Sequence, residues 1–274
     1  MAGLALDDEP QVIRIGERAV FRLPNGVIAR VARPSRDAAA AREVQVARWL
    51  REQEVDVDQP LAGDQPFMAV GGLAVTFWHE VIGYWAAPAD LAAVLRRLHS
   101  IEPPTGFPLS EYDPFNRLAT RIQAAPTLTP SDRDWLTNRA EQLRIQLTKV
   151  ERFLPPAVIH ADASTGNVLK TGQGKPVLLD LEGVCVGPPE WDLTVTAVHR
   201  MLGWHTASEY EEFCTVYGVD VTEWDGFPVF SEVQSLRMTC WLSQNARDDE
   251  VEQELRRRLA DLVDPSRERM WRPF

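Results

Sequence analysis

A chain of 274 residues with 45% hydrophobic and 25% charged residues has enough apolar material for a sizeable core and no stretch polar enough to stay unfolded. Its net charge of −11 argues against the nonspecific nucleic-acid binding that a basic stripe confers. Neither the opening MAGLALDDEP nor any later window has a leader's basic and apolar regions or the length of a bilayer span, so a cytoplasmic protein with no membrane partner is expected, as monomer or homodimer.

In chain order, the stretch from Val12 to His79 reads as short strands. Ala19 to Leu23 and Val27 to Ala32 flank Pro24-Asn25-Gly26, and Met68 to Val70 and Leu73 to His79 flank Gly71-Gly72. Both pairs predict hairpins, because Asn and Gly tolerate the positive φ of a two-residue turn. Between them, Ser35 is placed to cap a helix from Asp37 to Glu54. After Gly83 the apolar period becomes helical, with Leu91, Val94, Leu95 and Leu98 on one face. Thr129-Pro130-Ser131-Asp132 supplies a cap, a proline and a carboxylate for a helix to about Phe153, with Leu136, Leu143, Leu147 and Val150 inward. Val158 to His160, Val168 to Lys170 and Val177 to Leu181 read as strands, and helices resume from Glu190 to the end. Cys185, Cys214 and Cys240 are odd in number and far apart, which predicts buried thiols rather than disulfides or a zinc site.

The chemistry concentrates in HADASTGN at 160 to 167 and LLDLE at 178 to 182. If these loops converge, Asn167 and Asp180 offer the hard oxygen ligands that magnesium takes while it keeps positions for phosphate and water. Asp162 is then left to accept a hydrogen bond from a substrate hydroxyl and hold it in line with a γ-phosphate. A carboxylate with an ordinary pKa of about 4 serves that purpose, since the hydroxyl keeps its proton until late. Taken singly, each of these residues reads as turn chemistry; the joint pattern is what carries the functional reading.

His160-Ala161-Asp162 with Asn167, then Leu179-Asp180-Leu181-Glu182, then Gly187-Pro188-Pro189-Glu190-Trp191-Asp192-Leu193, resembles the aminoglycoside phosphotransferase family of the protein-kinase-like superfamily over nearly the whole chain. The resemblance implies an α+β, two-lobed protein-kinase-like fold. Residues 1–82 would form a small antiparallel-sheet lobe with one helix, and residues 83–274 a larger, mainly helical lobe. It also implies that Asp162 is catalytic, that Asn167 and Asp180 bind Mg2+, and that Asp192 is a structural carboxylate bracing the catalytic loop. His160 is read as a structural histidine that orders that loop. The family usually has glycine where this chain has Ala161, a change that a negative φ would tolerate at little cost.

The cation that anchors ATP is commonly a lysine on the third strand, but only three of the 29 basic residues are lysine, and none precedes Lys149. Arg30 takes that position in VIARVAR, on the strand face shared with Ile28, while Arg33 faces the other way. Glu43, on an apolar helix seam, needs a cationic partner, and Arg30 is the candidate. Phe77-Trp78-His79-Glu80-Val81 is the expected hinge, with backbone groups that meet the adenine edge. Gly16 is the one glycine between Val12 and the Asn25-Gly26 turn, so the grip on the nucleotide must come from something other than a glycine-rich loop. Glu182 follows Asp180 at strand period, which would put both on one face, with no role assigned.

From Trp204 to Leu236 there are seven acidic residues and no lysine or arginine. If that stretch lines the cleft, it attracts cations; otherwise it is a solvated acidic surface. The expected activity is ATP-dependent (or GTP-dependent) phosphorylation of a hydroxyl on a small-molecule acceptor, cationic and aminoglycoside-like or otherwise an amine-bearing antibiotic. A metabolic kinase for a sugar, amino sugar, amino alcohol or nucleoside is the alternative. A nucleotide-binding pseudoenzyme comes third.

Overall fold

The computed structural model describes residues 9–16, 18–34, 36–63, 66–246 and 248–274. β1 (Gln11–Ile15), β2 (Ala19–Leu23) and β3 (Val27–Val31) run antiparallel in sequence order. The β2–β3 turn takes φ of 63° at Asn25 and 69° at Gly26, the conformation for which Asn-Gly is selected. β4 (Met68–Val70) and β5 (Leu73–His79) join through Gly71 and Gly72, also at positive φ. Because β5 pairs with β3, the strand order among the described residues is β1-β2-β3-β5-β4. α1 (Asp37–Glu52) starts after Arg36, which makes no side-chain cap; the expected cap, Ser35, lies outside the described residues. The helix ends short of Glu54, which has turned to a φ of 60°.

The pattern after Gly83 is helical only from Pro88. Before it lies an unforeseen strand, β6 (Gly83–Trp85), which pairs with β8 (Val168–Thr171), and β8 with β9 (Pro176–Leu178). Gly83 is required there, because a Cβ would sit 2.3 Å from the Lys170 carbonyl oxygen. α2 (Pro88–Leu98) buries the four expected residues. α3 (Leu118–Ala124) follows, and then α4 (Pro130–Leu147), whose capping box is formed. Thr129 Oγ1 accepts from the Asp132 N–H at 3.1 Å, and the Asp132 carboxylate accepts from the Thr129 N–H at 2.9 Å. α4 stops well before Phe153 because the Phe153 and Leu154 N–H groups donate to buried Glu190 Oε1 at 2.9 and 3.0 Å, an alternative to continuing the helix.

β7 (Ala157–Ile159) pairs with β10 (Cys185–Gly187). α5 (Pro189–Met201), α6 (Ala207–Tyr217), α7 (Phe227–Asn245) and α8 (Asp249–Val263) complete the helical part. Cys185 and Cys240 are buried and Cys214 is half-buried, all as free thiols. Among the described residues no helix is long and apolar enough to cross a membrane.

The two parts are joined by more than one strand of chain. The Leu178 N–H donates to the Asp56 carbonyl at 2.8 Å, and the Asp58 N–H to the Leu178 carbonyl at 3.1 Å. One apolar core runs across this junction, from Leu50, Val57 and Trp78 to Leu95, Leu178 and Leu181; a second, around Leu136, Trp191, Phe230 and Leu255, lies under the C-terminal helices.

Candidate active site

The site begins where β7 ends. Asp192, fully buried in the first turn of α5, accepts from the His160 and Ala161 N–H groups at 2.7 and 2.8 Å and lies 3.1 Å from His99 Nε2. One carboxylate thus fixes two consecutive peptide groups of the loop. His160 is itself buried, and its Nε2 donates to the Leu179 carbonyl at 2.9 Å. That bond assigns the ring proton to Nε2, because a carbonyl only accepts. It also links the loop to the segment that carries Asp180.

The backbone at Ala161 departs from expectation: its φ is 69°, the left-handed region, not a negative value. Alanine there costs about 1–2 kcal/mol relative to glycine. Glycine would relieve this strain but forfeit about 0.8 kcal/mol of methyl burial and lose about 0.4–1 kcal/mol through a freer unfolded chain. These effects nearly cancel, which explains how alanine persists at a left-handed position. Ala161→Gly should therefore change the free energy of urea unfolding by less than about 1 kcal/mol, whichever its sign.

Asp162 follows with its side chain open to solvent, although protein atoms crowd the cleft around it. That crowding, with Asp180 adding to it, raises its carboxyl above the ordinary range, and His160, Arg237 and Arg121 act in the opposite direction. Asn167 Nδ2 donates to the Asp162 carbonyl at 2.9 Å, and the Leu179 N–H donates to the Asn167 carbonyl at 2.8 Å. These two bonds bring Asp162, Asn167 and Asp180 into one constellation. With its NH2 committed to the chain, Asn167 is left with the amide oxygen as its ligand atom. An amide oxygen and a carboxylate are a donor set that fits a hard divalent cation.

Asp180 is not at the end of a regular strand. Its φ is 62°, and residues Leu181–Gly183 form a 3-10 turn, so the strand-period argument for Glu182 fails. Glu182 instead lies 3.7 Å from Arg36 and 3.6 Å from Arg117. Gly183 allows this close turn, since a Cβ would come within 2.9 Å of the His160 carbonyl oxygen.

Above the constellation lies an ion-pair network. Arg30 Nη1 donates to Glu43 Oε1 at 2.9 Å, its Nη2 donates to Asp58, and its guanidinium lies 4.2 Å from the centre of the Trp78 ring. Arg18 joins the same group, with Nη1 to Glu43 Oε2 at 2.6 Å and Nη2 to Asp180 Oδ1 at 2.5 Å. Burial raises the Asp58 carboxyl, with Arg30 opposing it. At Asp180, burial works in the same upward direction, but Arg18 and Arg30 outweigh it and hold the carboxyl below the ordinary range. Sequence reasoning missed both Arg18 and Asp58. The position of Arg18 in the β1–β2 turn, where a glycine-rich loop was sought, was the available signal. Asp58 left none.

Arg33 lies outside this network, exposed, donating to the Gly16 carbonyl at 3.0 Å. Lysine in place of Arg30 cannot fork between two buried carboxylates. Arg30→Lys should therefore lower stability by about 1.5–3 kcal/mol and raise KM for ATP, with Arg33→Lys within about 0.5 kcal/mol. Urea titration and steady-state kinetics check the pair.

The expected hinge needs correction. Trp78 is fully buried, with Nε1 donating to Thr76 Oγ1 at 2.9 Å. The Phe77 carbonyl accepts from the Leu61 N–H, the His79 N–H donates to the Gln59 carbonyl, and the Glu80 N–H donates to the Gly26 carbonyl, each at 2.8 Å. Glu80 also pairs with Arg22 at 2.6 Å. Residues 59–61 thus cover the backbone edge that was expected to meet adenine, leaving Val81 as the group of that stretch with no main-chain bond among the described residues. Ile28, in β3 directly opposite Trp78, packs against the core.

The acidic stretch from Trp204 to Leu236 is in part engaged elsewhere. Glu209 caps α6 through Thr206, Asp220 accepts from Tyr210 and Thr222, and Glu232 holds Arg139 through both oxygens at 2.6 Å.

Residues 11–230 match the profile of the phosphotransferase enzyme family. The chain belongs to that family. A search of curated proteins finds no match. Solved structures agree in fold. A choline/ethanolamine kinase family protein from Mesorhizobium loti superposes with a TM-score of 0.64 at 20% identity, over 95% of this chain and 88% of that one. An amicoumacin kinase, in complex with AMP-PNP, Ca2+ and Ami, gives 0.71 at 13% identity, over 96% and 90%. An aminoglycoside phosphotransferase from Streptomyces rimosus gives 0.61 at 20% identity, over 83% and 92%. The two-lobed kinase-like fold is therefore the one the family resemblance implies, and the chain is a member of a phosphotransferase enzyme family.

Proposed function

We propose that the protein transfers the γ-phosphoryl group of ATP to a hydroxyl on a small molecule. The observation that carries this reading is the tie among three segments: Asn167 bonded to the Asp162 carbonyl, and Leu179 bonded to Asn167, which together hold Asp162, Asn167 and Asp180 at one place. Asp162 accepts the hydrogen bond of the acceptor hydroxyl and orients its oxygen. As the bond between the γ-phosphorus and the β,γ-bridging oxygen breaks and the new O–P bond forms, Asp162 takes the hydroxyl proton. Asp180 and the Asn167 amide oxygen would hold Mg2+, which when bound supplies positive charge against the phosphate oxygens. Arg30, fixed by Glu43 and Asp58, serves as the anchoring cation of the nucleotide.

For the acceptor, the similar structures include kinases named for ethanolamine and aminopropanol, both amine-bearing alcohols, and an aminoglycoside phosphotransferase, and an amine-bearing acceptor, including an antibiotic, is the reading these names support. ATP and GTP consumption measured against a panel of aminoglycosides, amino alcohols, neutral sugars and hydroxy acids tests all of this, with the phosphate then located on the product. No turnover with any hydroxyl compound counts against the proposal; turnover confined to compounds without an amine removes the amine-bearing acceptor.

A further inference from the structure

Arg18 is the one cation in the ion-pair network that reaches a proposed metal ligand directly. Its side chain is 12% exposed, and its two terminal nitrogens divide between Glu43 of α1 and Asp180 beyond β9, 162 residues away in sequence. Arg30 already pairs with Glu43 and Asp58, so those two carboxylates have a cation without Arg18. Asp180 is different: Arg18 is the guanidinium bonded to it, and Oδ1 is the oxygen it holds. A divalent cation that takes this carboxylate meets a guanidinium already there, and two cations on one carboxyl group repel.

Building on the kinase reading, we infer that Arg18 is a phosphate-site residue that competes with the metal ion for Asp180 and is released to the nucleotide's phosphates when metal and nucleotide bind together. The turn that carries it supports the exchange. Arg18 lies just before β2, and its carbonyl accepts from the Gly16 N–H at 3.1 Å just after β1, at the edge of the sheet. A guanidinium also suits the destination, because its fork matches phosphate oxygens as well as it does carboxylates. In this way an arginine provides part of the grip that a glycine-rich loop would otherwise give. It also makes metal uptake depend on the nucleotide, since metal alone must displace Arg18 with no phosphate to receive it.

The inference predicts effects of opposite sign from one substitution. Arg18→Gln should bind Mn2+ in the absence of nucleotide about tenfold more tightly, because the competitor is gone. The same variant should bind a fluorescent ATP analogue in the presence of Mg2+ about tenfold or more weakly, through loss of a charge-assisted contact. Electron paramagnetic resonance of free Mn2+ reads the first and a fluorescence titration the second. Arg18→Lys, which keeps the charge but not the fork, guards against misfolding of the first variant: metal affinity should rise by less and nucleotide affinity stay within a few fold of the unmodified protein. If both affinities fall, or neither moves, in a variant that still melts cooperatively, Arg18 is only a brace and the inference is overturned. An unmodified protein that binds no nucleotide removes the kinase reading and this inference together, whereas normal nucleotide binding without the opposed shifts removes the inference alone.

Discussion

Asp162→Ala should lower kcat by about 10²–10⁴-fold while leaving nucleotide affinity within a few fold. The reason is positional. Asp162 lies at the open end of a loop whose two preceding peptide groups are fixed by Asp192, so removing its carboxyl deletes the hydroxyl acceptor without disturbing the support. A pH profile adds a check with a defined sign. Crowding raises the Asp162 carboxyl above the ordinary range, and the reaction needs it ionised, so activity should fall on the acid side at a higher pH than an ordinary aspartate would impose. The variant's residual activity should lack that limb. Near-normal turnover, or an unchanged acid limb, would end the assignment.

The second large effect belongs to Asp180. Because its φ is 62°, asparagine, which tolerates that conformation, separates chemistry from backbone strain better than alanine does. Asp180→Asn keeps the size and one oxygen but removes the negative charge, leaving two neutral amide oxygens to hold the ion against water. Metal-dependent turnover should drop by about 10³-fold or more, corresponding to several kcal/mol of lost charge stabilisation, and the magnesium concentration for half-activity should rise. A variant with the magnesium dependence of the unmodified protein would remove Asp180 from the metal site. Stability should fall modestly at neutral pH, since the charges of Arg18 and Arg30 that hold the Asp180 carboxyl below the ordinary range lose that carboxylate, although Glu43 still pairs with Arg18.

The features that could be read from the sequence were those fixed by local chemistry. Asn25-Gly26 and Gly71-Gly72 announced their hairpins because few other residues accept those angles. Thr129 and Asp132 announced a helix start because both halves of the capping box lie within four residues. The Asp162, Asn167 and Asp180 pattern was legible for a different reason, namely that its three residue types together suit one chemistry. What escaped depends on contacts distant in sequence. Nothing in Gln59 to Leu61 marks it as the cover of the hinge backbone, and nothing in Val57-Asp58 marks a buried partner for Arg30. Ala161 misled because a family glycine replaced by alanine invites a negative φ, whereas here the support from Asp192 and the burial of the methyl offset a left-handed one. Glu182 misled because alternation was carried past the end of a strand that the chain had already left.

The bonds that join Asp56 and Asp58 to Leu178 bear on how such a molecule could work as a machine. Leu178 lies two residues before Asp180, and residues 56–58 follow directly on the helix that carries Glu43. The segment leading to the proposed metal ligand is therefore fastened to the strand-rich side of the molecule by main-chain bonds, within a core that passes without a break from Leu50 to Leu181. A boundary drawn near residue 82 divides strand-rich from helix-rich sequence, but it is not a line of mechanical weakness. Relative movement of the two sides has to pivot about this junction rather than open across it, so the distance between Glu43 and Asp180 is the dimension of the cleft that changes least.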